Sequence, residues 1–161
     1  MYCVECGTKL TMKWLEDEGD VPYCEKCGEF RFPMYNVAVS MIVVNRKNGK
    51  ILLIKQYGKD RNVLVAGYVN RRERAEDAVV REISEETGMR VSDMTFNRTE
   101  FFEPTNTLMC NFTVYVENEY DFCPNKELDS WEWYSPEDAK KAIAKNSLAE
   151  KFLKAFLKER L

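Results

Sequence analysis

The chain has 161 residues, 45% hydrophobic and 32% charged, with few glycines and prolines, which predicts one domain with a real core and room for a small appendage. A net charge of −3 without a basic block gives no support to a nucleic-acid groove or an anionic membrane surface, and no apolar run approaches the roughly 18 residues of a membrane span, so a cytoplasmic protein is expected. Histidine is absent, which removes imidazole bases, His metal ligands and His-based triads and leaves carboxylate, Lys, Tyr or a metal-held water as the base.

Residues 1–33 carry Cys3-x-x-Cys6 and Cys24-x-x-Cys27, each pair followed directly by a glycine. Two such knuckles supply four thiolates at tetrahedral spacing, which predicts a closed, structural Zn²⁺ site in a small zinc ribbon. Disulfides or a redox pair are the weaker alternatives, since neither a secretory signal nor a βαβ context accompanies the cysteines. Cys110 and Cys123 are expected as buried small hydrophobes. Pro33 closes the ribbon, and residues 34–161 are expected to form the second, larger domain.

In that domain Val37 to Val44 and Ile51 to Ile54 are β-rich runs, joined through the turn signal Asn48-Gly49. A short run from Val63 to Ala66 leads into Gly67. Ala75, Ala78, Val79, Glu82, Ile83 and Glu86 then recur at helical spacing until Gly88. Strands follow over 94–102, 107–117 and 130–134. Ser135-Pro136-Glu137-Asp138 opens a helix, and a last helix from about Ser147 carries the stripe Leu148, Phe152, Ala155 and Phe156.

At about 100° per residue, Glu82, Glu85 and Glu86 fall on one arc of the central helix, close to the arc that Ala75, Ala78 and Val79 occupy earlier. Like charges at these spacings repel, and more so if the face turns inward. Clustered hard oxygens suit Mg²⁺ or Mn²⁺, which leave positions for water and substrate phosphates. Arg81, one turn from both Asp77 and Glu85, is placed to brace the cluster; a solvated acidic face is the plain alternative.

Gly67, Glu73, Arg81, Glu82, Ile83, Glu85, Glu86 and Gly88 fit G-x5-E-x7-R-E-U-x-E-E-x-G-U, so the chain resembles the Nudix hydrolases. The resemblance implies an α/β fold, a Nudix α/β/α sandwich with a mixed sheet preceded here by the zinc ribbon, and divalent-metal-dependent cleavage of a diphosphate linkage. It implies Glu82 and Glu86 as metal ligands, Glu85 as ligand or base, and Arg81 and Glu73 as residues orienting the loop-helix-loop. A four-cysteine ribbon before such a domain resembles the NADH pyrophosphatase branch. That likeness adds the Ala66 carbonyl and Glu127 as metal ligands, Phe32 as a substrate contact, and the segment around Ala149 as part of the substrate site. The branch's signature after the box is replaced here by the segment from Thr99 to Thr107, which places Phe101, Phe102, Glu103 and Thr107 as further substrate-binding candidates. The expected substrate is a small nucleotide: NADH, NAD or a related dinucleotide, split into two mononucleotides. The alternatives are another nucleoside diphosphate derivative, such as a nucleotide sugar or noncanonical nucleotide, and a non-catalytic nucleotide sensor. A homodimer is compatible with all of these.

Overall fold

The computed structural model describes residues 1–117 and 120–159. The chain forms two compact units, one over Met1–Tyr35 and another beginning at Asn36.

The first unit is a three-stranded antiparallel sheet, β1 (Thr11–Leu15), β2 (Gly19–Cys24) and β3 (Glu29–Phe30), in the order β1-β2-β3. Only Cys3, Val21 and Cys24 are buried among its hydrophobic residues, too little apolar surface for a core of its own. Tyr23 stacks edge-on against Phe30 with ring centroids 5.0 Å apart, and Lys13 Nζ lies 4.0 Å above the Tyr23 ring.

The second unit contains β4 (Asn36–Asn45), β5 (Ile51–Gln56), β6 (Val65–Tyr68), α1 (Ala75–Thr87), β7 (Asp93–Phe102), a 3-10 turn over Glu103–Thr105, β8 (Thr107–Val116), β9 (Leu128–Tyr134), α2 (Pro136–Ala142) and α3 (Leu148–Lys158). Strand order is β7-β8-β4-β5-β9. The central strand β4 is buried from Ala38 to Asn45, as its near-continuous apolar run requires. It runs parallel to β8 along its whole length, and its other edge pairs antiparallel with β6 through Ala38 to Met41 and with β5 at Val44. The sheet is therefore mixed.

Alternation along β4 sorts the core into two layers. Val39, Met41 and Val43 pack with Ala78, Val79 and Ile83 of α1, whereas Ile42 and Val44 pack with Ala139 and Ile143 near α2 and Phe152, Leu153 and Phe156 of α3. The sheet thus lies between α1 and the α2/α3 pair, an α/β/α sandwich. Helix α1 stops at Gly88, whose φ of 69° is left-handed and whose N–H donates to the Ser84 carbonyl. Met89, where the box pattern usually has a branched aliphatic, is buried in the α1 layer. Helix α3 starts at Ser147, whose Oγ accepts from the Glu150 N–H at 3.0 Å. Cys110 packs half-buried against the α1 layer, but Cys123 is exposed, against the sequence expectation. Its N–H donates to the Thr87 carbonyl at 2.7 Å, so the loop follows the end of α1 and leaves the thiol outside.

Candidate active site

The acidic arc of α1 does not share one environment. Glu86 is 3% exposed, the Glu82 side chain is 12% exposed and that of Glu85 58%. Burial first, then the neighbouring Glu82, Glu127 and Glu85, push the Glu86 carboxyl up to about 8. Its Oε2 is buried and has no hydrogen-bond partner among the described residues.

Arg81 braces this cluster. Its Nε and one terminal nitrogen donate to the two Glu73 oxygens at 2.7 and 2.9 Å. The other terminal nitrogen reaches Glu82 at 2.6 Å and Glu85 at 3.2 Å, and the Tyr68 carbonyl accepts at 2.9 Å. This fork explains arginine over lysine, because an ammonium has three donors and no planar fork, too few for the five contacts made here. Glu73 also accepts the Asn70 N–H at 2.7 Å, and Arg81 and that N–H hold its carboxyl down at about 2. Asp77, the other residue one turn from Arg81, lies 3.7 Å from Arg74 instead.

Gly67 is required by close approach rather than by backbone angle. A Cβ there would sit 2.0 Å from Cδ of Glu82, so β6 and the Glu82 carboxylate can share this space only if residue 67 has no side chain. Ala66, paired with Ser40 across β4 and β6, lines the same cleft. Glu127 reaches it by a different route: the Asn125 N–H donates to the Glu86 carbonyl at 3.1 Å, and the Asn125 side chain accepts the Glu127 N–H at 2.9 Å. The Tyr57 hydroxyl lies 3.4 Å from Glu127, and burial together with Glu127 and Glu86 raises its pKa. Tyr57 has a φ of 57°, a strained backbone for an aromatic residue, beside the cleft.

The cleft has a volume of about 830 Å³ and lies wholly within the second unit. Glu82, Glu85, Glu86, Glu127, Ala66 and Arg81 line it. Phe102, Thr107, Leu148, Ala149 and Phe152 also line it. Thr107 is buried and its hydroxyl bonds to Thr105, which holds the turn after β7. Phe101 is 44% exposed, and neither it nor the exposed Glu103 is among the residues lining the cleft. Neither adjacent phenylalanine is core, although strand alternation predicts one inside; β7 is an edge strand and Phe102 is 36% exposed. Phe32 is exposed in the first unit.

Several lining residues were not indicated by the sequence: Gln56, Tyr57, Lys59, Arg61, Tyr68 and Lys145. Only Tyr68 carried a signal, an aromatic next to the glycine that opens the box. The Gln56 Oε1 is a second buried acceptor without a partner among the described residues. Two orphaned acceptors and four carboxylates lining one cleft suit a hard divalent cation, whose charge offsets theirs.

In the first unit the sulfurs of Cys3, Cys6, Cys24 and Cys27 all lie within 4.8 Å of one another. The pairs Cys3–Cys27 and Cys6–Cys24 are 3.9 and 3.5 Å apart, against the roughly 3.8 Å that tetrahedral zinc–sulfur bonds of about 2.3 Å impose. The N–H groups of Gly7 and Gly28 donate to the Cys3 and Cys24 carbonyls at 2.8 Å, closing both knuckles. The Arg31 guanidinium holds the Cys3 thiol at about 6, whereas the Cys6 and Cys24 sulfurs push Cys27 up to about 12. That conflict among crowded thiols is what a bound cation removes, so the donor set fits zinc.

The family model of the NUDIX domain matches residues 34–156. Nudix hydrolase 19, chloroplastic, of Arabidopsis thaliana is 30% identical over 89% of this chain and 34% of its own length. NAD-capped RNA hydrolase NudC of Pseudomonas aeruginosa is 27% identical over 99% of this chain and 56% of its own. The chain therefore spans between about a third and somewhat over half of these curated relatives. In fold it is similar to a NUDIX hydrolase from Nitrosomonas europaea, with TM-score 0.68, 20% identity and coverage of 99% and 91% of the two chains. It is also similar to the NUDIX domain of Shewanella oneidensis NrtR complexed with ADP ribose, with TM-score 0.66, 13% identity and coverage of 86% and 94%. Among the described residues no helix is long and apolar enough to cross a membrane.

Proposed function

The chain belongs to the NUDIX family, and on that premise we propose that it is a pyrophosphohydrolase that cleaves the diphosphate linkage of a nucleoside diphosphate derivative, with NADH-type dinucleotides as the first candidates. The observation that carries the reading is Glu86, a nearly buried carboxylate with an orphaned oxygen, set among Glu82, Glu85 and Glu127 in the cleft.

Glu82, Glu86 and the Ala66 carbonyl would hold Mg²⁺ or Mn²⁺, which leaves Glu127 for the base. Such a cation supplies positive charge against the diphosphate oxygens and acidifies water. The side chains do the rest. Arg81 fixes Glu82 and Glu85 relative to the box loop through Glu73, so these carboxylates are held in place before a cation or substrate arrives. Glu127 is the better-placed proton acceptor: Glu85 is tied to Arg81 at 3.2 Å, whereas the Glu127 carboxylate meets only the Tyr57 hydroxyl, at 3.4 Å, among the described residues. Tyr68, Tyr57 and Phe102 are exposed aromatics lining the cleft, suited to stacking a planar base. The zinc ribbon over 1–33 is part of the same proposal, with the four cysteines as a closed structural site.

Other nucleoside diphosphate derivatives stand second, because the segment from Thr99 to Thr107 departs from the NADH signature. A sensor without activity is disfavoured, since the carboxylates that only catalysis needs are all present. The test is a substrate panel of dinucleotides, nucleotide sugars and nucleoside triphosphates with Mg²⁺ or Mn²⁺, read by product identity. Mononucleotide pairs released from NADH support the reading, and turnover of nucleoside triphosphates alone overturns it.

A further inference from the structure

Besides the carboxylates and the Arg81 that braces them, three further cations line the cleft: Lys59, Arg61 and Lys145. The fold brings these together from separate stretches of chain. The Asn62 carbonyl accepts the Ala144 N–H at 2.9 Å, and the Asn62 side chain donates to the Ala142 carbonyl at 3.2 Å, so the loop after β5 is tied to the connection between α2 and α3. Arg61 and Lys145 are the neighbours of these tied residues.

Their charge is not neutralised locally. Asp60, the acid within the loop, is engaged by Lys55 at 2.5 Å. Among the described residues Lys59 and Arg61 make no ion pair and no side-chain hydrogen bond. Lys145 donates to the Lys140 carbonyl and lies 3.7 Å from Glu150, whose closer partner is Lys154 at 2.8 Å. Lys59 and Arg61 are thus open to an incoming anion and Lys145 is held only by a long ion pair, and the arginine fork with two point charges matches phosphate oxygens.

The α1 carboxylates and the basic residues come from different parts of the fold. Glu82, Glu85 and Glu86 ride on α1, which packs against one face of the sheet, whereas Lys145 follows Ile143, which packs in the α2/α3 layer on the other, and Asn62 ties the loop of Arg61 to the same connection.

We propose that Lys59, Arg61 and Lys145 form a subsite for a phosphate monoester on the substrate's nucleoside, separate from the linkage that is cleaved. This rests on the reading of the cleft as a nucleoside diphosphate site. A monoester carries a charge of about −1.5 to −2 at pH 7, which three cations match better than they match a singly charged diester or carboxylate. The enzyme then selects phosphorylated over unphosphorylated forms of one nucleotide skeleton.

The test compares kcat/KM of the full chain with Mg²⁺ for NADH against NADPH and for dephospho-coenzyme A against coenzyme A, pairs that differ by a 2′- or a 3′-phosphate. The phosphorylated member of at least one pair should be favoured about tenfold, the scale of a charge-assisted contact. Arg61→Gln and Lys145→Gln should each remove most of that preference and leave the unphosphorylated member unchanged, and Arg61→Lys should retain it. Equal rates within both pairs, or both members falling together in the variants, overturn the subsite and leave only general steering. Hydrolysis of the unphosphorylated member is the separate check on the function itself. If no pair is hydrolysed, calorimetry on the metal-free protein decides: tighter binding of adenosine 2′,5′-bisphosphate or adenosine 3′,5′-bisphosphate than of AMP, lost in Arg61→Gln, supports the subsite, and equal binding overturns it.

Discussion

Glu86 is the residue on which chemistry and stability pull apart. Its carboxylate is nearly buried among like charges, so the metal-free fold bears a cost that a neutral isostere does not. Glu86→Gln should therefore lower turnover about a hundredfold or more while the metal-free protein melts at the same temperature or higher. Thermal shift with and without Mg²⁺ checks both halves, and near-native turnover at saturating Mg²⁺ would remove Glu86 from the ligand set. Gly67→Ala makes a sharper steric test. The added Cβ has to displace the Glu82 carboxylate, a flexible side-chain end, so activity and cation affinity should fall well before stability does. A variant that keeps its cation affinity would show that Glu82 does not need its observed place.

At the scale of elements, α3 covers one face of the sheet through Phe152, Leu153 and Phe156 and also lends Leu148 and Ala149 to the cleft. Its start is held by Ser147 and by Glu150, whose Oε2 accepts the Asn146 N–H at 2.8 Å. Ser147→Ala should cost about 1 kcal/mol, or a fall of roughly 2–4 °C in Tm for a chain of this size. Lys154, then the Asn146 N–H, hold the Glu150 carboxyl below the ordinary range. A depressed carboxyl stabilises the fold above its unfolded pKa and loses that contribution as pH falls through the folded value. Glu150→Gln should accordingly destabilise at neutral pH and converge on wild type in acid; a gap in Tm that stays constant between pH 7 and pH 3 would show that the charge is not the cause.

At the scale of the whole molecule, the two units depend on different forces. The second has two apolar layers, whereas the first has few buried hydrophobics and four converging sulfurs. Zinc binding in comparable sites is worth on the order of 10 kcal/mol, enough to fold such a segment. The purified protein should hold about one zinc per chain, and Cys24→Ser should open residues 1–35 to proteolysis while those from 36 onward stay resistant. Four cysteines found disulfide-bonded, with no zinc, would overturn the ribbon.

Sequence alone determined the elements whose cause is local. The apolar run of β4, the helical spacing that ends at Gly88, the Ser147 cap and the two CxxC knuckles are each set by neighbours within a few residues, and each was legible for that reason. The carboxylate arc of α1 was legible too, because helical geometry fixes it. Tertiary structure decided what depends on distant chain. Which of three similar glutamates is buried followed from how α1 lies on the sheet, and the exposure of Cys123 and Phe102 from a loop path and an edge strand. Tyr57, with its left-handed backbone, and the meeting of Arg61 with Lys145 through Asn62 leave no periodicity or motif behind, since hydrogen bonds between segments some 80 residues apart are made only once the sheet and its second helical layer have closed.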